Sequence, residues 1–377
     1  MKKKKILFIM TDMSIGGGPK TLIDYLKGLD KQKYDITLYL IVNDGELLNE
    51  IPNEIRVESC ISNGNGNILR AYKKLRLFFS KKQIKQTFQG YDLVVGYTEY
   101  YPTYIVAKIN KYLGIRSISW IHTDLSKNPT NFLKRIIHKK IGNKLYLYID
   151  KVICVSKNIS EKVKEIYPLP FKGDKLEVIY NPNNYNDIAL KAMMDIELKM
   201  KNKYKIVFVG RLSSEKNIGL LLEAVSSTQK NYDVKLLIIG EGDEKGNLVE
   251  LSKSLGIEDR VAFLGYQKNP YPYIKQSDVF VLPSNTEALP GVLIEALSLN
   301  VPVIASNVGG VNEIVNHMEN GILFEKQNKE ELVNAMDYIF RDFKNKEKFL
   351  YNCTNDLWKF DSKNSFEQIE SIFNKEI

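Results

Sequence analysis

The sequence predicts an α/β protein of two domains, each built on a doubly wound parallel sheet, and three observations support this prediction. Short apolar strands alternate with segments long enough for crossover helices, which is the pattern of a parallel sheet covered on both faces. The alternation stops at Asn181-Pro182-Asn183-Asn184 and begins again near residue 204. The length of 377 residues suits two domains of roughly 150 residues, each able to bury its own core.

The first series of elements begins with the apolar strand KILFIM at residues 5–10, which the glycine triplet Gly16-Gly17-Gly18 follows. The next segment, Thr21–Leu29, has leucines at helical spacing. The further strand candidates of this series are Ile36–Val42, Leu93–Tyr97, Ser117–Ile121 and Val152–Val155. The first domain is therefore predicted to span residues 1–180.

A second series of the same kind follows residues 181–203, which we interpret as a linker. This second series of strands and helices predicts a second domain at residues 204–360. The remaining residues, 361–377, carry phenylalanine and isoleucine at helical spacing and are predicted to form a helix that returns to the first domain. The strand candidates of the second series are Tyr204–Gly210, Lys235–Gly240, Val261–Leu264, Val279–Leu282 and Val301–Ala305.

The composition is that of an ordinary globular protein, with 44% apolar and 26% charged residues. The three cysteines are scattered without a C-x-x-C spacing, which favours the reducing cytosol over a disulfide frame or a zinc site. No run of 18 apolar residues occurs, so a membrane-spanning helix is not expected.

The positive charge is concentrated in the first domain. Residues 1–180 hold 31 basic and 17 acidic side chains, whereas the rest of the chain holds 23 and 28. A field of one sign on one domain indicates an anionic partner there, namely a membrane surface, an acidic substrate or nucleic acid.

The strongest chemical signal is the segment EALPGVLIE, which runs from Glu287 to Glu295. Pro290 suits the first turn of a helix, which places Glu287 on the preceding loop and Glu295 in the early helix. The N–H groups from Gly291 and Val292 onwards would form an anion site that suits a pyrophosphate. The two carboxylates would accept hydrogen bonds from sugar and ribose hydroxyls. Either glutamate alone is also explained by a loop position or by the helix dipole.

A cationic loop, GRLSSEKN, follows the first strand of the second series at Gly210–Asn217. Arg211 and Lys216 leave the carboxyl end of that strand, where doubly wound sheets bind ligands, and are predicted to converge on a diphosphate. Glu215 is expected to hold Lys216 in place. The alternative is a solvated loop with a surface ion pair.

These two segments resemble the retaining GT-B glycosyltransferases of family four, and the resemblance extends over nearly the whole chain. Each matching segment alone is weak, but the order and spacing of all of them together are specific to this family. The resemblance implies a GT-B fold, in which two facing Rossmann-like domains leave a cleft between them. The other segments that carry the resemblance are GGG at Gly16–Gly18, WIHT at Trp120–Thr123, VSK at Val155–Lys157, GEG at Gly240–Gly242, FLG at Phe263–Gly265 and NVGG at Asn307–Gly310.

The resemblance implies an enzyme that transfers a hexose or N-acetylhexosamine with retention from a nucleotide-diphosphate sugar, expected to be a UDP-sugar. Arg211 and Lys216 would neutralise the diphosphate, Glu295 would hold the ribose and Glu287 the donor-sugar hydroxyls. His122 would lie near the reacting sugar, with a histidine that caps a strand end as the alternative. Further donor contacts are expected from Gly16, Gly17, Gly18, Gly210, Gly240, Leu264, Leu289, Gly291 and Val292, the Leu264 backbone contacting the nucleobase.

No metal and no cofactor besides the donor are expected, because the sequence has no D-x-D and its three histidines are scattered. Arg211, Lys216 and the helix N-terminus would then stabilise the leaving diphosphate during front-face attack by the acceptor. Ala288 and Pro19 depart from the usual family pattern. The donor base, the sugar, the linkage and the oligomeric state stay open.

Two other functions stay open from the sequence. A sugar-nucleotide epimerase on the same fold would convert the donor without an acceptor, whereas a phosphorylase would need a pyridoxal-phosphate lysine and a much longer chain. A non-catalytic module that binds an anionic ligand is the second alternative. Nucleic acid is a poor candidate for that ligand, because the sequence has neither an aromatic single-strand platform nor a helix-turn-helix signature.

The segment Ile68–Phe88, ILRAYKKLRLFFSKKQIKQTF, is predicted to form a basic amphipathic helix. Its apolar face would enter the membrane interface while its lysines and arginines contact anionic lipid. We therefore expect a lipid-linked saccharide acceptor, a cytoplasmic protein that is peripheral at the inner face of the cell membrane, and a place in bacterial surface polysaccharide synthesis. An ordinary helix packed on the first domain is the alternative.

Overall fold

The computed structural model describes residues 2–62, 80–126, 132–167, 174–196, 202–228 and 230–377. Within these residues the chain forms two compact units. The first unit consists of Met1–Pro182 and Lys363–Ile377, and the second of Asn183–Ser362.

The first unit is built on a seven-stranded parallel sheet with the strand order β3-β2-β1-β4-β5-β6-β7 among its described residues. The order reverses between β1 and β4, and ligands bind doubly wound sheets at such a reversal, outside the carboxyl ends of the strands. The central strands are fully buried because their apolar runs have helices on both sides. The strands are β1 (Lys4–Met10), β2 (Tyr34–Asn43), β3 (Arg56–Ser62), β4 (Leu93–Gly96), β5 (Arg116–Ile121), β6 (Lys151–Cys154) and β7 (Leu176–Val178).

The last helix of the chain packs in the first unit. The ring of Phe366 meets that of Tyr25 at 5.5 Å, and the ring of Phe373 meets that of Phe8 at 6.3 Å. These contacts join the end of the sequence to its first strand and first helix. The helices of this unit are α1 (Gly17–Gly28), α2 (Lys81–Phe88), α3 (Tyr101–Leu113), α4 (Phe132–Leu145), α5 (Lys157–Ile166) and, at the end of the chain, α13 (Ser362–Glu376).

The second unit has a six-stranded parallel sheet with the order β10-β9-β8-β11-β12-β13. Part of the expected linker forms helix α6, and the Asn269 side chain donates to the Lys191 carbonyl at the end of that helix at 2.8 Å. The strands are β8 (Tyr204–Val209), β9 (Val234–Ile239), β10 (Val261–Gly265), β11 (Val279–Leu282), β12 (Val303–Ser306) and β13 (Gly321–Phe324). The helices are α6 (Tyr185–Lys191), α7 (Ile218–Thr228), α8 (Lys245–Ser254), α9 (Tyr271–Lys275), α10 (Gly291–Ser298), α11 (Lys329–Arg341) and α12 (Phe343–Asn352).

Three strands that the sequence pattern missed, β3, β7 and β13, lie at the edges of the described sheets. An edge strand pairs on one side only, and it is often short or charged. Strand β3 carries Arg56 and Glu58, and β7 is three residues long. Strands β3 and β7 therefore lacked the continuous apolar run that indicated the central strands, whereas β13 is an apolar strand of only four residues, GILF.

The predicted basic helix at residues 68–88 is described in part, because residues 63–79 lie outside the described residues. Residues 81–88 form α2, and the residue before them, Ser80, is an extended N-cap, so the prediction of one helix continuous through Ser80 was wrong. Within α2, Ile84 and Phe88 are fully buried. The lysines of this helix, Lys81, Lys82 and Lys85, are exposed. In this part the apolar face packs on the first unit and the basic face meets solvent.

Candidate active site

The two loops that the sequence singled out lie side by side in the second unit because the strands before them are neighbours. Strand β8 pairs with β11, with Ile206 opposite Val279. The loop of Arg211 leaves the carboxyl end of β8, and the loop of Glu287 leaves the carboxyl end of β11. These two ends lie beside each other because the strands are parallel. The strand order reverses at this point, so both loops lie where a doubly wound sheet binds its ligand.

Lys216 and Glu287 form an ion pair in which Nζ lies 2.6 Å from Oε1. The Glu287 side chain is 9% exposed and that of Lys216 is 24% exposed, so solvent screens this pair less than a surface pair. The Ser284 hydroxyl donates to the same Oε1 at 2.6 Å, and the Ser306 hydroxyl donates to the Ser284 carbonyl at 2.5 Å. These bonds fix the carboxylate. Its Oε2 has no hydrogen-bond partner among the described residues and can accept from a hydroxyl.

The expectation that Glu215 holds Lys216 named the wrong partner, since the ion pair of Lys216 is with Glu287. Glu215 contributes its backbone carbonyl instead, which accepts from the Asn285 N–H at 2.7 Å. The Asn285 side-chain amide also donates to the Ser214 carbonyl at 3.2 Å. Asn285 thus ties the cationic loop to the loop of Glu287.

Close backbone contacts require glycine at two positions of this edge. Gly240 has a φ of +140°, and a Cβ there would lie 1.9 Å from the Gly210 carbonyl oxygen. Gly309 has a φ of +57°, and a Cβ there would lie 1.7 Å from the Glu287 carbonyl oxygen. Gly240 and Gly309 therefore hold the two site loops in place, independently of any contact with a ligand.

Helix α10 begins at Gly291, and Pro290 lies at the N-cap rather than in the first turn as predicted. The N-cap makes no side-chain hydrogen bond, and the first turn has no acidic residue. A Cβ built on Gly291 would meet nothing within 4 Å, and Leu289 before it is buried while Val292 is partly exposed. The helix N-terminus is therefore suited to an anion.

Glu295 lies in the second turn of α10 and is 7% exposed. Its Oε1 accepts a hydrogen bond from the buried Tyr271 hydroxyl at 3.2 Å. A buried carboxylate costs free energy unless hydrogen bonds or charges compensate it. The carboxylate lies one turn from the open N-terminus of α10, which makes Glu295 a candidate for ligand binding.

The remaining predicted donor contacts of the second unit also lie at this edge. Arg211 is exposed and follows Gly210 at the end of β8. Leu264 lies near the end of β10, and its carbonyl accepts from the Gln267 side-chain amide at 2.8 Å. A nucleobase that contacts the Leu264 backbone, as expected, would therefore lie close to the Gln267 side chain.

The glycine triplet of the first unit belongs to the start of helix α1. Gly16 is the N-cap in an extended conformation, with a φ of 176°, and Gly17 and Gly18 begin the helix. A Cβ on Gly17 would meet nothing within 4 Å, and one on Gly18 would lie 3.9 Å from its nearest neighbour. Neither backbone strain nor crowding requires glycine at these positions. The absence of side chains here leaves open space beside the start of α1.

His122 follows strand β5 and packs against Tyr97, with ring centroids 4.7 Å apart, and against Trp120 at 6.1 Å. Burial lowers the pKa of His122 to about 3, although a hydrogen bond to the Tyr97 backbone opposes this effect. The ring is therefore neutral at physiological pH. Its Nε2 is buried without a hydrogen-bond partner among the described residues, and it is an acceptor if the other nitrogen donates to Tyr97.

The sequence reasoning missed three residues that hold these groups, namely Ser284, Tyr271 and Glu99. The Glu99 carboxylate accepts from the His122 backbone N–H at 3.1 Å. Ser284 lies two residues after β11 and Glu99 three residues after β4, and a position so close to the end of a strand could have indicated them. Tyr271 belongs to no motif, and only the folded structure brings it to Glu295.

The described part of the chain contains no group of three or more His, Cys, Asp or Glu side chains arranged to hold a metal ion. None of the described helices is both long and apolar enough to cross a membrane.

The two doubly wound parallel units place this protein in the GT-B class of folds. The chain belongs to the group 1 glycosyltransferases of family four. Residues 191–356 match the family described as Glycosyl transferases group 1, and residues 15–185 match Glycosyltransferase Family 4.

Curated relatives match most of the chain. An uncharacterized glycosyltransferase of Haemophilus influenzae is 30% identical over 348 residues, which cover 90% of this chain and 91% of the relative. A Campylobacter jejuni protein is 28% identical over 333 residues, covering 87% and 88% of the two chains. It is named N-acetylgalactosamine-N,N'-diacetylbacillosaminyl-diphospho-undecaprenol 4-alpha-N-acetylgalactosaminyltransferase.

Solved structures share the fold. The Anabaena protein Alr3699/HepE in complex with UDP superposes with a TM-score of 0.78 at 21% identity and covers 98% of this chain and 100% of its own. The same protein has been solved with UDP-glucose. A glycosyltransferase from Rickettsia africae has a TM-score of 0.80 at 22% identity and covers 100% and 99% of the two chains.

Proposed function

We propose that this glycosyltransferase moves a hexose or N-acetylhexosamine, with retention, from a UDP-sugar to a membrane-associated, lipid-linked saccharide in bacterial surface polysaccharide synthesis. The observation that carries the proposal is the Lys216–Glu287 pair at the carboxyl edge of the second sheet, where β8 and β11 are neighbours. It combines a cation suited to a diphosphate with a fixed carboxylate suited to sugar hydroxyls.

In the proposed reaction, Lys216, Arg211 and the N-terminus of α10 stabilise the negative charge that develops on the departing diphosphate. Glu287 binds donor-sugar hydroxyls through Oε2, and Glu295 binds the ribose. The acceptor hydroxyl attacks the anomeric carbon on the face that the diphosphate leaves, and its proton passes to the departing phosphate oxygen. The anomeric configuration is thereby retained, and no metal ion takes part.

The proposed donor and acceptor are supported by the proteins that this chain resembles. UDP and UDP-glucose are bound in the Anabaena structures. The Campylobacter relative, by its name, acts on a diphospho-undecaprenol-linked saccharide. The excess of basic side chains in residues 1–180 suits an anionic membrane surface and hence a peripheral position at the cytoplasmic face.

A donor screen followed by a transfer assay tests this function. UDP-glucose, UDP-galactose, UDP-N-acetylglucosamine, UDP-N-acetylgalactosamine and GDP-mannose are compared by thermal shift, since a ligand at 100 times its Kd adds about 2.7 kcal/mol. The stabilising donor is then incubated with undecaprenyl-diphosphate-linked saccharides, and the product anomer is assigned by NMR.

We expect a UDP-sugar to stabilise the protein and the α-anomer to form from an α-linked donor. Preference for GDP-mannose would exclude the UDP assignment. An inverted product would exclude the mechanism, and conversion of the donor to an epimer without acceptor would favour the sugar-nucleotide epimerase.

A further inference from the structure

Glu99 connects the ends of two neighbouring strands in the first unit. It follows β4 by three residues, and its Oε2 accepts from the His122 backbone N–H at 3.1 Å. Its Oε1 accepts from the Thr123 hydroxyl at 2.6 Å. Strands β4 and β5 are paired in register, with Gly96 opposite Ser119, so one carboxylate spans the turn after β4 and the loop after β5.

The backbone beside Glu99 is strained. Tyr100 has a φ of +65° and a ψ of −111°, and it is one of the few non-glycine residues with positive φ in the described chain. A bulky side chain rarely adopts this conformation, and such strain persists only where the surrounding contacts enforce it. Tyr100 is also the N-cap of α3. The strained turn directs Glu99 towards the β5 loop instead of allowing α3 to begin in a relaxed geometry.

The loop that Glu99 holds carries His122, whose imidazole is enclosed by Tyr97 and Trp120 and whose Nε2 has no hydrogen-bond partner among the described residues. The Glu99 bonds fix the backbone of His122 and not its ring. A shift of this backbone would move the imidazole relative to whatever Nε2 binds.

We propose that Glu99 is a positioning residue for the transfer reaction, which sets the place of His122 by clamping the loop after β5 to the turn after β4. This inference rests on the proposed function, in which His122 lies at the reacting sugar. Glu99 itself acts through hydrogen-bond geometry, not through its charge or through contact with substrate.

Two substitutions of Glu99 separate the effect of its hydrogen bonds from the effect of its charge. Glu99→Ala removes both bonds. Glu99→Gln keeps an acceptor for the His122 N–H, and its amide can donate to the Thr123 hydroxyl, so the clamp remains without the charge. Asp92→Ala is the matched control, because Asp92 precedes the same strand β4 and its carboxylate accepts the Lys5 backbone N–H at 2.8 Å at the opposite end of the sheet.

Two readouts follow on the full-length protein. The first is UDP release with the active donor and acceptor, together with binding of UDP alone. We expect Glu99→Ala to lower kcat by about 10²-fold, as small misplacements of catalytic groups do, and to leave the affinity for UDP unchanged. Glu99→Gln should retain kcat within about threefold, and Asp92→Ala should match wild type.

The second readout does not depend on activity. The chain has three histidines, so ¹⁵N-histidine NMR resolves the imidazole of His122, assigned by its absence in His122→Asn. Its signals should move or broaden in Glu99→Ala and stay in place in Glu99→Gln and Asp92→Ala.

An unchanged His122 signal or an unchanged kcat in Glu99→Ala overturns the inference, and so does a Glu99→Gln enzyme as inactive as Glu99→Ala. If the His122 signal responds as expected but the wild-type protein releases no UDP from any donor with any acceptor, the proposed function fails while the clamp on His122 stands.

Discussion

Lys216 and Glu287 are 71 positions apart in the chain, yet Nζ of the lysine lies 2.6 Å from Oε1 of the glutamate. The pairing of β8 with β11 places the two loops at the same edge of the sheet. Because the Glu287 side chain is almost buried, each residue depends on the other for compensation of its charge.

The first prediction concerns this pair. Lys216→Met should lower kcat/KM by about 10²-fold or more, because it removes a cation from the departing diphosphate. It should also destabilise the second unit by about 1–3 kcal/mol, because Glu287 is left nearly buried without its cation. Enzyme kinetics and urea unfolding measure the two effects.

The control for this pair is Lys253→Met, which removes an ion pair of the same kind with Glu250 at 2.8 Å, where both side chains are more than half exposed. Activity should stay at the wild-type level, with a loss of under about 1 kcal/mol. Adding Glu287→Gln to Lys216→Met should restore part of the stability but none of the activity. Additive stability losses would show that the two side chains are not coupled.

The second prediction concerns Glu295. Glu295→Ala should reduce transfer by about 10²-fold while the fold is kept, since it removes hydrogen bonds to the donor. Tyr271→Phe removes only the hydroxyl that contacts Glu295 and should raise KM for the donor by about tenfold or less with little change in kcat. Tyr232→Phe, which breaks a 2.6 Å bond to Asp337 in the same unit, should leave KM unchanged.

The third prediction is that transfer requires no metal ion, because the proposed site stabilises the diphosphate with Lys216, Arg211 and a helix N-terminus. The initial rate in excess EDTA should equal the rate in untreated buffer. Loss of activity in EDTA that manganese or magnesium restores would assign the leaving-group chemistry to a metal.

The fourth prediction uses the low pKa of His122, which is about 3 in the folded protein because the ring is buried, against about 6.5 in an unfolded chain. The unfolded state therefore binds a proton more readily as the pH falls below 6.5. The buried, neutral His122 side chain makes its full contribution to the free energy of unfolding above pH 6.5. This contribution decreases as the pH falls towards 3, with a limiting slope of about 1.4 kcal/mol per pH unit.

Urea unfolding of wild type and His122→Gln between pH 7 and pH 5 measures this effect before most carboxylates titrate. The stability difference between the two proteins should change in favour of the variant as the pH falls. Parallel curves would show that His122 is accessible to protons in the folded state.

The fifth prediction concerns the membrane. The protein should float with anionic vesicles at low salt and dissociate near 0.5 M salt, where screening shortens to roughly 4 Å. Replacing Lys81, Lys82 and Lys85 of α2 by glutamate should weaken flotation. The same change at the exposed Lys253, Lys326 and Lys329 of the second unit should have a smaller effect. A protein that ignores anionic vesicles at low salt would favour a soluble acceptor and a purely structural α2.

The sequence by itself determined the two parallel α/β units and their central strands. Apolar runs such as Ile6–Met10 and Val279–Leu282 are buried on both faces, and continuous burial leaves a pattern that can be read along the chain. The loop position of Glu287 and the helical position of Glu295 also followed from local rules, because proline is tolerated at the start of a helix but not in its interior, so that the helix begins close to Pro290.

Tertiary structure alone decided which side chains meet. The partner of Lys216 was expected to be its neighbour Glu215, but strand order brings Glu287 to it instead. The contact of Tyr271 with Glu295 and that of Glu99 with the His122 backbone likewise join segments with no shared motif. Local sequence determines which residues leave the end of a strand, whereas the order of strands in the sheet determines which of these ends are neighbours, and that order results from packing of the whole chain.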